Sequence, residues 1–194
     1  MRPHLYIFAK APAMGKAKTR LAADIGKAHA HRLYRTMLAK VIRQVQDPRW
    51  ETVIMATPTR AIGQVKEWQS LPQYPQVQGS LSPRLAAAFA HKGPIIVIGT
   101  DCPQVTRGDI ADGFAALKKH QAVFGPADDG GCWLMGMRGP ISADIFNNVR
   151  WSYEDTLSDI ERNIDGSVHH LRTLIDVDDI KALRALRSLP SQQL

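Results

Sequence analysis

The stretch "PIIVIGTDCP", residues 94–103, decides the fold. Residues 94–101 read as a continuous, β-branched apolar strand that Gly99 ends. A strand without polar alternation suits a parallel sheet covered by helices on both faces. Asp101 then follows just past the carboxyl end of a buried strand, where open α/β sheets bind their ligands.

Working outward, strand and helix signals alternate. Residues 4–9, "HLYIFA", read as a buried strand. The helical spacing of Leu33, Met37, Leu38, Val41, Ile42 and Val45 predicts a helix over 28–46. A second strand covers 51–58, and a helix is expected through Ile62, Val65 and Trp68. Residues 74–79 predict a brief strand, and 83–91 a helix. Beyond the central strand, the Thr106 hydroxyl is expected to cap a helix. "AVFGPADD" (122–129) and "GCWLMGM" (131–137) predict two strands about a glycine-rich turn. "SYED" (152–155) is expected to open a helix as a capping box. A late strand is expected over 169–178 and a C-terminal helix over 178–189. The pattern predicts one three-layer α/β domain over residues 1–194, with a mostly parallel sheet.

The net charge of +7 is unevenly placed. Residues 1–50 hold eleven Lys/Arg and two Asp/Glu, a balance of +9; the rest hold fourteen and sixteen, a balance of −2. A basic half facing an acidic half points to an anionic ligand at one end of the site. The pI permits nucleic-acid binding, but no zinc-finger spacing, basic heptad region or aromatic-rich strand signature accompanies it, so no nucleic-acid partner is expected. No apolar run approaches the ~20 residues that span a bilayer, and the N-terminus lacks a signal-peptide pattern. A cytoplasmic location without membrane attachment is therefore expected. Cys102 and Cys132 give neither zinc spacing nor a disulfide framework.

Three segments at strand ends carry chemistry. The first, "KAPAMGKAKTRLA" (10–22), crowds Lys10, Lys16, Lys18 and Arg20 into a loop with Pro12 and Gly15. Gly15 lets backbone approach a ligand, and Thr19 and Arg20 open a helix with a partly positive N-terminus. The arrangement suits two phosphates, although it lacks the Walker A order. The second is Asp101, a hard oxygen donor suited to Mg²⁺ or Mn²⁺. The third is "GPADDGG" (125–131), where Asp128 and Asp129 precede Gly130 and Gly131. Gly131 is expected to be a backbone requirement and Gly130 to serve the turn. A solvated loop, a turn cap and an ordinary hairpin account for the three one at a time; their joint position at strand ends favours a site.

These motifs resemble a small glycosyltransferase-A-type family of bacterial nucleotide-diphospho-sugar transferase-like proteins. Many members are known only as a domain of unknown function, and one branch is linked to arsenosugar biosynthesis. The resemblance rests on K-x-P-x-x-G-x-x-K-T-R-L from Lys10 through Pro12, Gly15, Lys18, Thr19 and Arg20 to Leu21. It also rests on G-T-D-C-P at 99–103, G-P-A-x-D-G-G at 125–131, "WSY" at 151–153 and "LIDVDD" at 174–179. The chain departs from the family at Cys132, Tyr153, Asp179 and the "LSPRL" segment (81–85), which keeps Leu81 and Arg84.

The resemblance implies a Rossmann-like nucleotide-binding fold and a divalent metal, Mg²⁺ or Mn²⁺, on Asp101. Asp178 is the second candidate ligand, with Asp128 and Asp129 also ranked. Lys10, Pro12, Gly15, Lys18, Thr19, Arg20, Arg84 and Gly131 are the nucleotide-binding candidates. Asp129 is the candidate base, with Asp128 beside it. The expected activity is glycosyl transfer from a nucleotide-sugar to a small-molecule acceptor. The alternatives are nucleotidyl transfer from a nucleoside triphosphate to a phosphorylated or carboxylated acceptor, and nucleotide binding without catalysis.

Overall fold

The computed structural model describes residues 2–189. Its strands are β1 (His4–Lys10), β2 (Glu51–Thr57), β3 (Gln73–Pro75), β4 (Ile95–Ile98), β5 (Ala122–Pro126), β6 (Cys132–Met137) and β7 (Val168–His170). Its helices are α1 (Thr19–Ile25), α2 (Lys27–Val45), α3 (Leu81–Phe89), α4 (Arg107–Ala116), α5 (Thr156–Arg162) and α6 (Ile180–Ser188). The strands form one sheet in the order β3-β2-β1-β4-β6-β5-β7. Only β6 runs antiparallel to its neighbours, because the short turn 127–131 folds it straight back along β5.

Alternation along the strands builds two cores, one on each face. Leu5, Ile7 and Ala9 of β1 and Ile96 and Ile98 of β4 pack with Leu38 and Val41 of α2 and with Ile110 and Phe114 of α4. Tyr6, Ile95 and Val97 face the other way, onto Leu85 and Phe89 of α3 and Ile160 of α5. The result is a three-layer, Rossmann-like α/β fold. Ile7 lies level with Ile54 on β2 and with Ile98 on β4, so β1 is central. The chain turns to opposite sides of β1 to form β2 and β4, and the crevice between the ends of β1 and β4 is a topological switch point. A third cluster, around Leu21, Met37, Val177 and Leu183, docks α6 on α1 and α2.

Several local expectations are corrected. The helix through Ile62 and Trp68 is two single 3-10 turns, Thr59–Ala61 and Lys66–Trp68, because Gly63 between them takes φ +75°. The strand at 74–79 shrinks to Gln73–Pro75 on the sheet edge, where Pro75 has no N–H for the ladder. The capping box at 152–155 does not form: Ser152 sits at φ +65°, Asp155 pairs with Arg150 at 2.8 Å, and α5 opens at Thr156. The late strand is Val168–His170; residues 171–178 instead cross the strand ends as a strap. The Thr106 cap does form, as a capping box with Asp109. No helix among the described residues is long and apolar enough to cross a membrane.

Candidate active site

The basic loop leaves β1 pinned by α2. Tyr34 donates its hydroxyl hydrogen to the Lys10 carbonyl at 2.7 Å, and His31 Nε2 lies 3.0 Å from the Pro12 carbonyl. Burial pushes the Tyr34 hydroxyl up to about 12, so it stays a donor at neutral pH. Gly15 takes φ +71°, which turns the loop back toward the sheet. Lys18 also takes a left-handed φ, +53°, immediately before α1. That conformation costs a non-glycine residue about 1–3 kcal/mol, and it aims the side chain inward, where only 4% of it is exposed. At seven residues α1 is short, so an anion here depends on side chains more than on a helix dipole.

The Lys18 ammonium lies among carboxylates from two other segments. Its Nζ is 2.8 Å from Asp101 Oδ1, 3.5 Å from Asp178 Oδ1 and 3.8 Å from Asp176 Oδ1. Arg20 Nη1 reaches Asp178 Oδ2 at 3.2 Å. Burial opposes the Lys18 charge, but the carboxylates outweigh it and its pKa is raised. The Asp176 pKa also rises, which here disfavours the charged form: burial first, then the Asp101 charge, push it up to about 7. Its Oδ1 is buried and has no hydrogen-bond partner.

The strap that carries Asp176 and Asp178 is tied to the strand ends by its own backbone. Val177 N–H donates to the Asp101 carbonyl at 3.0 Å and Leu174 N–H to the Pro126 carbonyl at 3.1 Å. Ile175 N–H donates to Gln104 Oε1 at 3.2 Å. Arg172 anchors the near end on Asp109 through Nε at 2.7 Å and Nη2 at 2.9 Å. Asp179 fixes the far end by accepting from Ala182 N–H at 2.8 Å. This departure from the family motif is therefore a helix cap.

Two clefts adjoin at Phe8. The first, about 260 Å³, is lined by Lys10, Lys16, Lys18, Thr19, Tyr34, Thr100, Asp101 and Asp178. The second, about 250 Å³, holds Asp129, Gly131 and Asp176 among mainly apolar walls. The structure thus gathers Lys10, Lys18, Thr19, Asp101 and Asp178, with Pro12 and Gly15 shaping the loop and Arg20, 72% exposed, meeting the first cleft through Asp178. It puts Asp129 and Gly131 in the second.

Two candidates lie elsewhere. Arg84 donates to the Gly79 carbonyl and Gln76 Oε1, and lines a separate groove beside Tyr74. Asp128 lines neither cleft; its Oδ1 accepts from Asp176 N–H at 2.9 Å, which orients the strap. Gly130, not Gly131, carries the positive φ, +87°, and a Cβ there would meet the Glu154 carbonyl oxygen at 2.1 Å.

Sequence reasoning missed Asp176 and Tyr34. In "LIDVDD" an extended segment puts Asp176 and Asp178 on one side and Ile175 and Val177 on the other, a signal that was available. Tyr34 is indistinguishable in sequence from another core position of α2. Neither cysteine is poised as a nucleophile: burial drives the Cys102 thiol well up and pushes Cys132 up to about 12.

Solved structures share this fold. A protein of Desulfovibrio desulfuricans G20, assigned by name to the nucleotide-diphospho-sugar transferases, superposes with a TM-score of 0.85 at 23% identity, over 96% of this chain and 87% of its own. A cytidylyltransferase from Leptospira borgpetersenii superposes at 0.63 with 13% identity, over 100% and 90%. The Rv0371c protein of Mycobacterium tuberculosis H37Rv, in complex with manganese, does so at 0.55 with 14% identity, over 97% and 100%. No curated protein matches the chain. Residues 38–153, more than half of the sequence, match the model of DUF2064, described as an uncharacterized protein conserved in bacteria, and the chain belongs to that family.

Proposed function

We propose that the protein is a glycosyltransferase that uses a nucleotide-sugar donor, a divalent metal and a small-molecule acceptor. The observation that carries this reading is the convergence of Lys18 with Asp101, Asp176 and Asp178 at the switch point, beside a second cleft that holds Asp129. The name of the Desulfovibrio protein supports the transferase reading, and the manganese in the Rv0371c complex supports a divalent metal.

The donor set fits Mg²⁺ or Mn²⁺. All donors are carboxylate oxygens, three of them lie within 3.8 Å of one point, and Asp176 Oδ1 is buried without a partner. Among the described residues no group of three or more acids, histidines or cysteines is gathered to grip an ion as it stands. Lys18 occupies the centre of the cluster and must withdraw first. Asp101 and Asp178, with Asp176, would then hold the cation. Such a cation neutralises charge that builds on a departing diphosphate; one well-placed electrostatic partner of this kind is worth roughly 3–4 kcal/mol.

The chain's own residues do the rest. Lys10, Lys16 and the withdrawn Lys18 take phosphate oxygens, and Arg20 adds a bidentate donor. Asp129, its Oδ1 held by Gly131 N–H at 3.0 Å, accepts the acceptor's hydroxyl proton. The acceptor oxygen bonds to the sugar's anomeric carbon, the bond from that carbon to the diphosphate breaks, and the electron pair leaves with the nucleoside diphosphate. With both thiols protonated, no cysteine-bound sugar intermediate enters this scheme.

A second reading, nucleotidyl transfer, draws on the likeness to the Leptospira cytidylyltransferase. Incubation with labelled nucleotide-sugars and nucleoside triphosphates separates the two. Release of nucleoside diphosphate with glycosylated acceptor supports the proposal. Release of pyrophosphate supports nucleotidyl transfer, and binding without turnover contradicts both.

A further inference from the structure

The two clefts differ in the residues that line them. The first is lined by Lys10, Lys16 and Lys18 together with Asp101 and Asp178. Among the residues lining the second there is no lysine, arginine or histidine; its acidic residues are Asp129 and Asp176. Its walls include Leu81 and Leu85 of α3, Met135 of β6, and Trp151 and Tyr153 from the segment before α5. Leu81 is 40% exposed and Tyr153 65%, so large apolar groups stand uncovered in the cleft lining. Trp151 is held there: its Nε1–H donates to Ser82 Oγ at 2.8 Å, which ties the aromatic segment to α3.

An anion in this cleft would lose water against mainly apolar walls and beside the Asp129 carboxylate, with no lysine, arginine or histidine in the lining to offset the loss; Lys18, 3.8 Å from Asp176 Oδ1, lines the first cleft instead. An apolar body gains from the walls, and a hydroxyl can donate to Asp129. A cavity of about 150 Å³ accepts benzene, so about 250 Å³ suits one substituted ring. Cys132, where the family has an aromatic, also lines the cleft; its buried thiol stays neutral.

We propose that the second cleft binds the acceptor, and that the acceptor is an uncharged alcohol with an apolar, ring-sized body, not a phosphorylated or carboxylated molecule. The word acceptor rests on the transferase reading above; the selectivity of the cleft does not, and binding alone tests it.

The test measures binding of 2-phenylethanol, 2-phenylethyl phosphate and glucose to the full chain by tryptophan fluorescence and calorimetry. Saturating Mn²⁺–pyrophosphate, itself titrated first, fills the basic cleft. The alcohol is expected to saturate, its phosphate ester to bind at least about tenfold more weakly, and glucose not to saturate. Tyr153→Ala should weaken the alcohol roughly three- to tenfold, as loss of an aromatic contact does. Leu81→Lys should move the preference toward the phosphate ester.

An ester that binds as tightly as the alcohol, a saturating glucose curve, or no saturation by any probe overturns the proposal. Failure of pyrophosphate to bind, with the alcohol still saturating and still sensitive to Tyr153→Ala, sinks the transferase reading and leaves the cleft's selectivity standing. If pyrophosphate binds and the ester wins, the acceptor proposal alone falls.

Discussion

Lys18 and Asp101 come from loops on adjacent central strands, and their charged atoms meet at 2.8 Å inside a ring completed by Asp176 and Asp178. The lysine is the resident counter-charge of the acidic cluster. This also explains how a loop with four Lys and Arg side chains tolerates its own crowding: two of the four, Lys18 and Arg20, are matched by carboxylates from the strap.

Replacing that ammonium should separate its two roles. Lys18→Met removes a cation that competes with metal, so Mn²⁺ alone should bind roughly tenfold or more tightly, since one charge at ~4 Å is worth a few kcal/mol near a protein surface. Pyrophosphate should bind more weakly, by about 1.5–3 kcal/mol, the range for hydrogen bonds to charged groups. The metal-free variant should melt below the wild type, because an acidic cluster is left unmatched, and Mn²⁺ should restore much of the difference. Calorimetric Mn²⁺ affinity that is unchanged or lower in the variant contradicts the role given to Lys18.

The strap depends on Arg172 and Asp109. Burial pushes the Asp109 carboxyl up, but its bonds from Arg172 and Thr106 outweigh burial and hold it below the usual carboxylate range. A depressed folded pKa contributes stability that is present above the unfolded value, about 3.9, and is lost as pH falls through the folded one. Arg172→Met should therefore cost about 1.5–3 kcal/mol at pH 7. Urea denaturation at pH 7 and at pH 3 should show the gap between variant and wild type shrinking in acid. A gap independent of pH would mean that Arg172 acts by packing alone.

The 127–131 turn distinguishes its two glycines. Gly130→Ala meets both a left-handed backbone, costing about 1–3 kcal/mol, and the Glu154 carbonyl oxygen at 2.1 Å. Gly131→Ala meets only Asp129 Oδ1 at 3.1 Å. The first should be clearly destabilising in thermal melts. The second should fold normally and alter Asp129's setting, read as weaker binding in the second cleft.

Much of the frame was legible because it is local. A continuous apolar run gives β4, helical spacing gives α2, and Thr106 before a helical segment gives the α4 cap. Residues 62–68 misled because Ile62, Val65 and Trp68 keep helical spacing while Gly63, at φ +75°, breaks the turn between them. The loop's lysines were legible as a group, but not the inward turn of Lys18. Its partner Asp178 lies 160 residues away, and contact over that distance is set by how α6 docks on α1 and α2. Asp128 misled for a similar reason: its carboxylate serves the backbone of Asp176, across a gap of 48 residues.

Asp101→Asn tests the central claim most directly. The change keeps the side chain's shape and an oxygen acceptor, and removes the charge that ends the central strand. Pyrophosphate is titrated into wild type and variant, with and without Mn²⁺, alongside a thermal melt of each. The account predicts that Mn²⁺ strengthens binding to the wild type, that this metal-dependent gain vanishes in Asp101→Asn, and that the variant stays folded. A folded variant that keeps the full Mn²⁺-dependent gain would show that Asp101 is only a turn residue paired with Lys18, and would contradict a metal-bearing catalytic cleft at this switch point.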